Sequence, residues 1–240
     1  IRLRTYGRAQ DDSEAFIELK KKLKDGTFTI DFCDDSLHTN GNLSICGGTY
    51  TLSTGDDGMH ADGADQVYGG EITIKTCYEG IKGQNMEISG GTIDITASDD
   101  GNGALDYNGT ATITGGTLVA AGMSGMEQNF GSDSTQGTLM MNLTDNQSGK
   151  ITLEDANGNT LVSYTPMREY NSVVISCAEL SDGSTYTIHT GENSREVTME
   201  GLVYTDGEVT NAPGQGGGQK PQGGPMGDNS GDSDNSDNSD

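Results

Sequence analysis

The sequence predicts an all-β protein: a right-handed parallel β-helix of about five coils, with an N-terminal capping helix and a small C-terminal antiparallel β module. Three observations predict it. Pairs recur at Gly26-Thr27, Gly48-Thr49, Gly70-Glu71, Gly91-Thr92 and Gly116-Thr117, at spacings of 22, 22, 21 and 25 residues. Each pair opens an alternating stretch, with Phe28/Ile30/Phe32, Tyr50/Leu52/Thr54, Ile72/Ile74/Thr76, Ile93/Ile95/Ala97 and Leu118/Ala120 on one face. Acidic residues return at one fixed place in the repeat. Hexapeptide left-handed coils and the nonapeptide calcium β-roll are excluded by the period.

The composition would otherwise suit a disordered chain, because Leu, Ile, Val and Phe supply only 40 of 240 residues and the net charge is −24. A repeat resolves the conflict: each apolar residue stacks on its copies in neighbouring turns, so few are needed. Seven of the 13 basic residues lie in the first 24 positions, which leaves the remainder strongly acidic. Such a field repels a polyanion and speaks against nucleic-acid binding. No apolar run approaches the ~20 residues of a membrane span.

In chain order, residues 1–24 predict the capping helix, with Asp12 or Ser13 as N-cap, Phe16, Leu19 and Leu23 on one face, and Gly26 as the stop. Residues 25–136 form the β-helix. Besides the strand after each glycine pair, a second inward column holds Ile45, Val67, Ile88 and Ile113, and a third holds Leu37, Met59, Ile81 and Leu105. Residues 137–211 form the antiparallel module: Thr138–Leu143, a hairpin from Ile151–Glu154 through Asn157-Gly158 to Leu161–Tyr164, then Ser172–Ser176 and Thr185–His189 joined around Asp182-Gly183. Residues 212–240, rich in Gly, Gln, Pro and finally Asp, Asn and Ser, cannot bury a core and predict a disordered tail.

The corner before the third column carries Asp34-Asp35-Ser36, Asp56-Asp57-Gly58, Tyr78-Glu79-Gly80 and Asp99-Asp100-Gly101. The period stacks these acids at ~4.8 Å, where two carboxylates repel by ~1 kcal/mol in water and several-fold more near a low-dielectric surface. A cation between turns relieves that repulsion. Oxygen-only ligands favour calcium, with Asp34, Asp35, Asp56, Asp57, Glu79, Asp99 and Asp100 as its candidate ligands and glycine admitting backbone carbonyls. A solvated acidic ladder with raised pKa values is the alternative. Beside it, His38, His60, Lys82 and Asp106 share one outward slot and, with Tyr107, are candidate ligand-binding residues. The two histidines suit a transition metal, an anionic sugar or a plain surface ladder, and Lys82 is the one candidate for a β-elimination base.

Other enzyme signatures are missing. There is no catalytic triad order, zinc-type cysteine spacing or phosphate loop. Adjacent acids repeated in every coil do not make the opposed pair, ~5–9.5 Å apart, of a glycosidase. Cys33, Cys46, Cys77 and Cys177 are few and irregular; Cys33 and Cys77, two coils and ~9.6 Å apart, exceed the ~7 Å limit for a disulfide.

Several segments carry a family resemblance: Asp56–Asp62, Tyr78-Glu79-Gly80-Ile81, and above all the block GNGALDYNGTATITGGTLVAAGMSGMEQNF from Gly101 to Phe130. These resemble the clostridial carbohydrate-binding β-helix family, and STQGTL, GNTLVSYTP and GSTYTIHTG extend the likeness over roughly residues 25–191. The resemblance implies an extracellular or cell-surface protein whose leader is absent from this chain, with a fold similar to family 9 pectate lyases. It further implies calcium at the Asp-Asp-Gly corners and binding of polygalacturonate and cellulose without established catalysis. The expected partner is therefore plant cell-wall or another polysaccharide. The alternatives are a pectate-lyase-like enzyme and a structural surface repeat without a sugar ligand. One departure stands out: relatives place further Gly-Gly-Thr coils before the Gly-Asn-Gly-Ala-Leu-Asp-Tyr motif, whereas here Asp100 runs directly into it.

Overall fold

A computed structural model describes residues 24–98 and 103–207 of the chain. The described residues contain strands and no helix. The expected capping helix and the expected disordered tail fall on residues 1–23 and 208–240, outside the described residues.

The repeat folds as a parallel β-solenoid. Strands β1 (Thr27–Cys33), β3 (Leu43–Thr54), β4 (Met59–Thr76), β5 (Ile81–Thr96) and β7 (Ala111–Gly122) stack in that order, while β2 (Leu37–Thr39) pairs with β4 and β6 (Leu105–Tyr107) pairs with β5. The main inward columns read from the sequence are in register, while the register slips by one residue at the ends of the post-glycine stretches, where Cys33 pairs with Thr54 and Ser53 with Thr76. Tyr50 pairs with Ile72, Ile72 with Ile93 and Ile93 with Leu118; Ile45, Val67, Ile88 and Ile113 form a second line and Leu37, Met59, Ile81 and Leu105 a third. These side chains make one core in which most are almost wholly buried. Burying a Leu, Ile or Val contributes ~1.5–3 kcal/mol, so each column adds a repeated increment to the core.

The glycine pairs are bends inside the long strands. At Gly70 φ is +109°, a value that side-chain-bearing residues rarely adopt, and a Cβ there would stand 2.9 Å from the Gly48 carbonyl oxygen one turn earlier. The close stacking of successive bends therefore requires glycine. The coil count comes to about four turns rather than five, because the strand following β7 in the sheet is antiparallel and ends the winding. Leu105 nonetheless stacks directly on Ile81, so β6 continues the column of β2, β4 and β5.

That closing strand is β11 (Tyr170–Ser176), which pairs antiparallel with β7 on one side and with β8 (Thr138–Gln147) on the other; β14 (Val203–Asp206) then adds parallel to β8. The two faces of this end serve different cores. Val174 and Met140 turn into the solenoid, whereas Val173, Ile175, Leu139 and Met141 turn away from it. The second face is covered by a four-stranded antiparallel sheet ordered β10 (Thr160–Tyr164), β9 (Ile151–Asp155), β12 (Thr185–Thr190), β13 (Asn193–Thr198).

The hairpin through Asn157-Gly158 is present, with Gly158 at φ +81°. The expected joining of Ser172–Ser176 to Thr185–His189 is not. The turn at Asp182-Gly183 exists, but β12 pairs with β9 and β13, while the Val-Val-Ile run of β11 is buried on both faces and lies inside the larger sheet. Cys46, Cys77 and Cys177 are free thiols, the last two buried.

Two glycine substitutions separate close approach from backbone strain. Gly70→Ala meets both penalties and is expected to cost ~1–3 kcal/mol for the strained backbone alone, with the clash added. Gly183→Ala, at φ +74° in open space, meets only the backbone strain. Thermal melts should therefore show the larger drop for Gly70→Ala.

Candidate functional site

The acidic corner is positioned by backbone hydrogen bonds between coils. The Asp56 amide donates to the Asp34 carbonyl at 3.1 Å, Tyr78 to Asp56 at 2.7 Å and Gly58 to Glu79 at 2.9 Å. The glycine that ends each motif has a packing cause. A Cβ on Gly58 would lie 2.6 Å from the Gly80 carbonyl oxygen and 2.8 Å from Ile74, and one on Gly80 would lie 2.4 Å from the Ala104 carbonyl oxygen and 2.5 Å from Ile95. Glycine thus makes room for the next coil, where the sequence had suggested room for a cation.

Immediately after the corner, β2, β4, β5 and β6 begin, and alternation turns His38, His60, Lys82 and Asp106 outward, each in register with the next. The row is adjacent to the acids, and it reaches back to them. His38 Nδ1 lies 2.6 Å and His60 Nδ1 3.2 Å from Asp35 Oδ2. His60 Nδ1 is also 3.4 Å from Asp57 Oδ2. Lys82 Nζ stands 2.6 Å from Glu79 Oε2 and 3.3 Å from Asp57 Oδ2. Lys82 therefore sets one ammonium against Asp57 and Glu79, which offsets part of the repulsion expected from bare stacked acids and leaves the rest of the corner acidic.

The groups diverge in character along the row. The Asp57 side chain is 1% exposed and Glu79 is 7% exposed, whereas Lys82 is 33% exposed. Burial pushes the Asp57 carboxyl up, opposed by Lys82 and reinforced by Asp56 and Asp35. Burial likewise pushes Glu79 up to about 7, against the pull of Lys82. For Lys82 burial acts downward, but the two carboxylates outweigh it and hold the ammonium protonated well above neutral pH.

The candidate residues are brought together unequally. Carboxylate oxygens of Asp35, Asp56 and Asp57 lie within 4.8 Å of one another, and so do ligand atoms of Asp35, His38 and His60. Asp34 is exposed and stands apart from both groups. Asp99 and Asp100 fall outside the described residues. Asp106 ends the outward row, half-buried and facing the field of Glu79. Tyr107 is 8% exposed and its hydroxyl donates to the Asn129 carbonyl at 2.7 Å, so it packs the corner and offers no sugar platform.

Two acids escaped the sequence reading. Asp62 lies beside His60, its Oδ1 3.9 Å from Nε2, while its Oδ2 accepts from Asn40 Nδ2 at 3.2 Å. Asp65 is fully buried in line with Leu43 and Met86; neither carboxylate oxygen has a hydrogen-bond partner, and burial raises its pKa well above the usual range. Its Oδ2 occupies the space left open by Gly83, where a Cβ would approach to 2.7 Å. An acid in an otherwise apolar column was the available signal.

Part of the chain matches a family model. Residues 18–125 match the family model of carbohydrate-binding domain-containing proteins. That stretch contains β1 to β7 and the whole charged row, and it ends before β8. No curated protein and no solved structure matches the chain. The carbohydrate-binding domain match thus falls on the solenoid and its corner.

Removing Lys82 tests the charge balance. A carboxyl whose folded pKa is raised binds its proton more tightly in the fold, so ionising Glu79 costs stability as pH climbs from 4.5 to about 7, and the cost is complete above that. In chelator, Lys82→Met should lower stability at pH 8 by an amount near the lower end of ~3–5 kcal/mol, since Lys82 retains some solvent contact. By pH 5, where Glu79 regains its proton, urea denaturation should show part of that loss recovered.

Proposed function

We propose that the chain is a non-catalytic, calcium-dependent polysaccharide-binding protein of the cell surface, taking an acidic polymer such as polygalacturonate, and cellulose, along the charged corner of the solenoid. The observation that carries the reading is the carbohydrate-binding family match, which spans the row from His38 to Asp106. No helix among the described residues is long and apolar enough to cross a membrane.

The donor set fits calcium in one place. Asp35, Asp56 and Asp57 offer convergent carboxylate oxygens, and Asp57 Oδ1 is buried without a hydrogen-bond partner, an acceptor that a hard cation would satisfy. Glu79 fits less well, because Lys82 already holds it. Bound calcium would supply the positive charge that lets an acidic polymer approach a chain of net charge −24. The chain's own contribution is positional: Asp35 is fixed by the Asp57 amide, which donates to its Oδ1 at 3.1 Å, and the half-exposed row presents imidazole and ammonium donors toward solvent.

The lyase alternative draws no support from Lys82. Proton abstraction α to a uronate carboxylate requires a neutral amine, and Glu79 and Asp57 keep this one protonated.

Affinity electrophoresis through polygalacturonate gels tests the reading. Retardation is expected with calcium and not with chelator, and Asp56→Asn, at a half-buried position, is expected to weaken it severalfold without loss of fold. Equal retardation in chelator would contradict calcium dependence; no retardation in either condition would favour a structural surface repeat. A near-ultraviolet unsaturated product would establish the lyase instead.

A further inference from the structure

We infer that Asp35, His38 and His60 form a binding site for a borderline divalent transition metal of the zinc class. The inference stands apart from sugar binding and calcium, although Asp35 is common to both metal sites. His38 and His60 are register partners on β2 and β4, so the backbone fixes them one coil apart, with ring centroids 4.6 Å apart and planes tilted by 34°. Both present Nδ1 to the same oxygen, Asp35 Oδ2. That oxygen is aimed at them because the other, Oδ1, is held by the Asp57 amide. Three donors therefore converge on one point without rearrangement of the main chain.

The distances suit a metal. Ligand atoms at ~2.0–2.1 Å from a tetrahedral zinc stand roughly 3.3 Å from one another. The His60 Nδ1 to Asp35 separation of 3.2 Å is already there, and the His38 separation of 2.6 Å must open slightly, which a side chain 41% exposed can do. Imidazole nitrogen selects zinc, nickel or copper over calcium, and three protein ligands with an open side describe an exchangeable site that keeps a position for water or ligand.

A further acid stands close by. His60 turns its far nitrogen, Nε2, toward Asp62 Oδ1 at 3.9 Å, and Asn40 holds the other oxygen of Asp62 at 3.2 Å. At that separation Asp62 makes no hydrogen bond to the ring and contributes through its charge. The surrounding field favours a cation, since Asp35, Asp56, Asp57, Asp62 and Glu79 face the single ammonium of Lys82.

Calorimetric titration of the full chain with zinc in calcium-free buffer tests the inference, with cobalt absorption reporting the donor set. A tetrahedral cobalt spectrum is expected, with zinc affinity falling at least ~10-fold in His38→Gln and by less in Asp62→Asn, which removes only a nearby charge. Both substitutions lie at solvent-facing side chains and should leave the calcium response of the melting temperature intact. Asp56→Asn should do the reverse, reducing the calcium response and sparing zinc, so the two sites fail separately. Zinc affinity unchanged in His38→Gln, or cobalt bound only as an octahedral oxygen complex, would overturn the site.

Discussion

The constraint on which this structure depends is the strand spacing of the solenoid. Once each coil lies directly on the last, every position repeats above itself at ~4.8 Å, and whatever a residue contributes is multiplied along its column. For Ile45, Val67, Ile88 and Ile113 the multiplication builds a core from a chain poor in large apolar residues. For the acids at the corner it builds repulsion. The neighbouring column answers part of that repulsion, where the Lys82 ammonium stands against Asp57 and Glu79 and two imidazoles lie beside Asp35. The corner is consequently charge-rich, partly buried and ordered by its own pairing, which is also what a binding surface for a cation or a charged polymer requires.

The end of the solenoid answers a second consequence of stacking, that the last coil exposes an open edge. Here the sheet changes direction. β11 and β8 continue it antiparallel, sealing the inner core with Val174 and Met140 while their opposite faces carry a second core. A run such as Val173-Val174-Ile175 makes sense only in this two-sided setting.

Much of this was legible in the sequence because the repeat fixes register. The three inward columns, the outward row from His38 to Asp106 and the place of the acids all follow from the period and strand alternation. What did not follow was the pairing within the corner, because whether Asp57 turns toward Lys82 depends on side-chain geometry across two coils. Asp65 hid for a related reason: its column is read as apolar until an acid in it is noticed, and its room is made by Gly83 one coil later. Outside the repeat, local signals misled. The turn at Asp182-Gly183 is real, yet β12 finds its partners in β9 and β13 rather than in β11. β13 shows one buried residue, Val197, in an otherwise exposed strand, and β14 pairs with β8 across a long sequence separation, so neither announces itself by alternation.

The carbohydrate-binding family match covers the solenoid and the corner, while β8 to β14 lie beyond it. The central claim is that the charged corner is where polysaccharide binds. Hydrogen–deuterium exchange with and without polygalacturonate, in calcium, tests it most directly. The account predicts new protection at residues 34–39, 56–62 and 78–83. Protection confined to residues 138–207, with the corner unchanged, would contradict it.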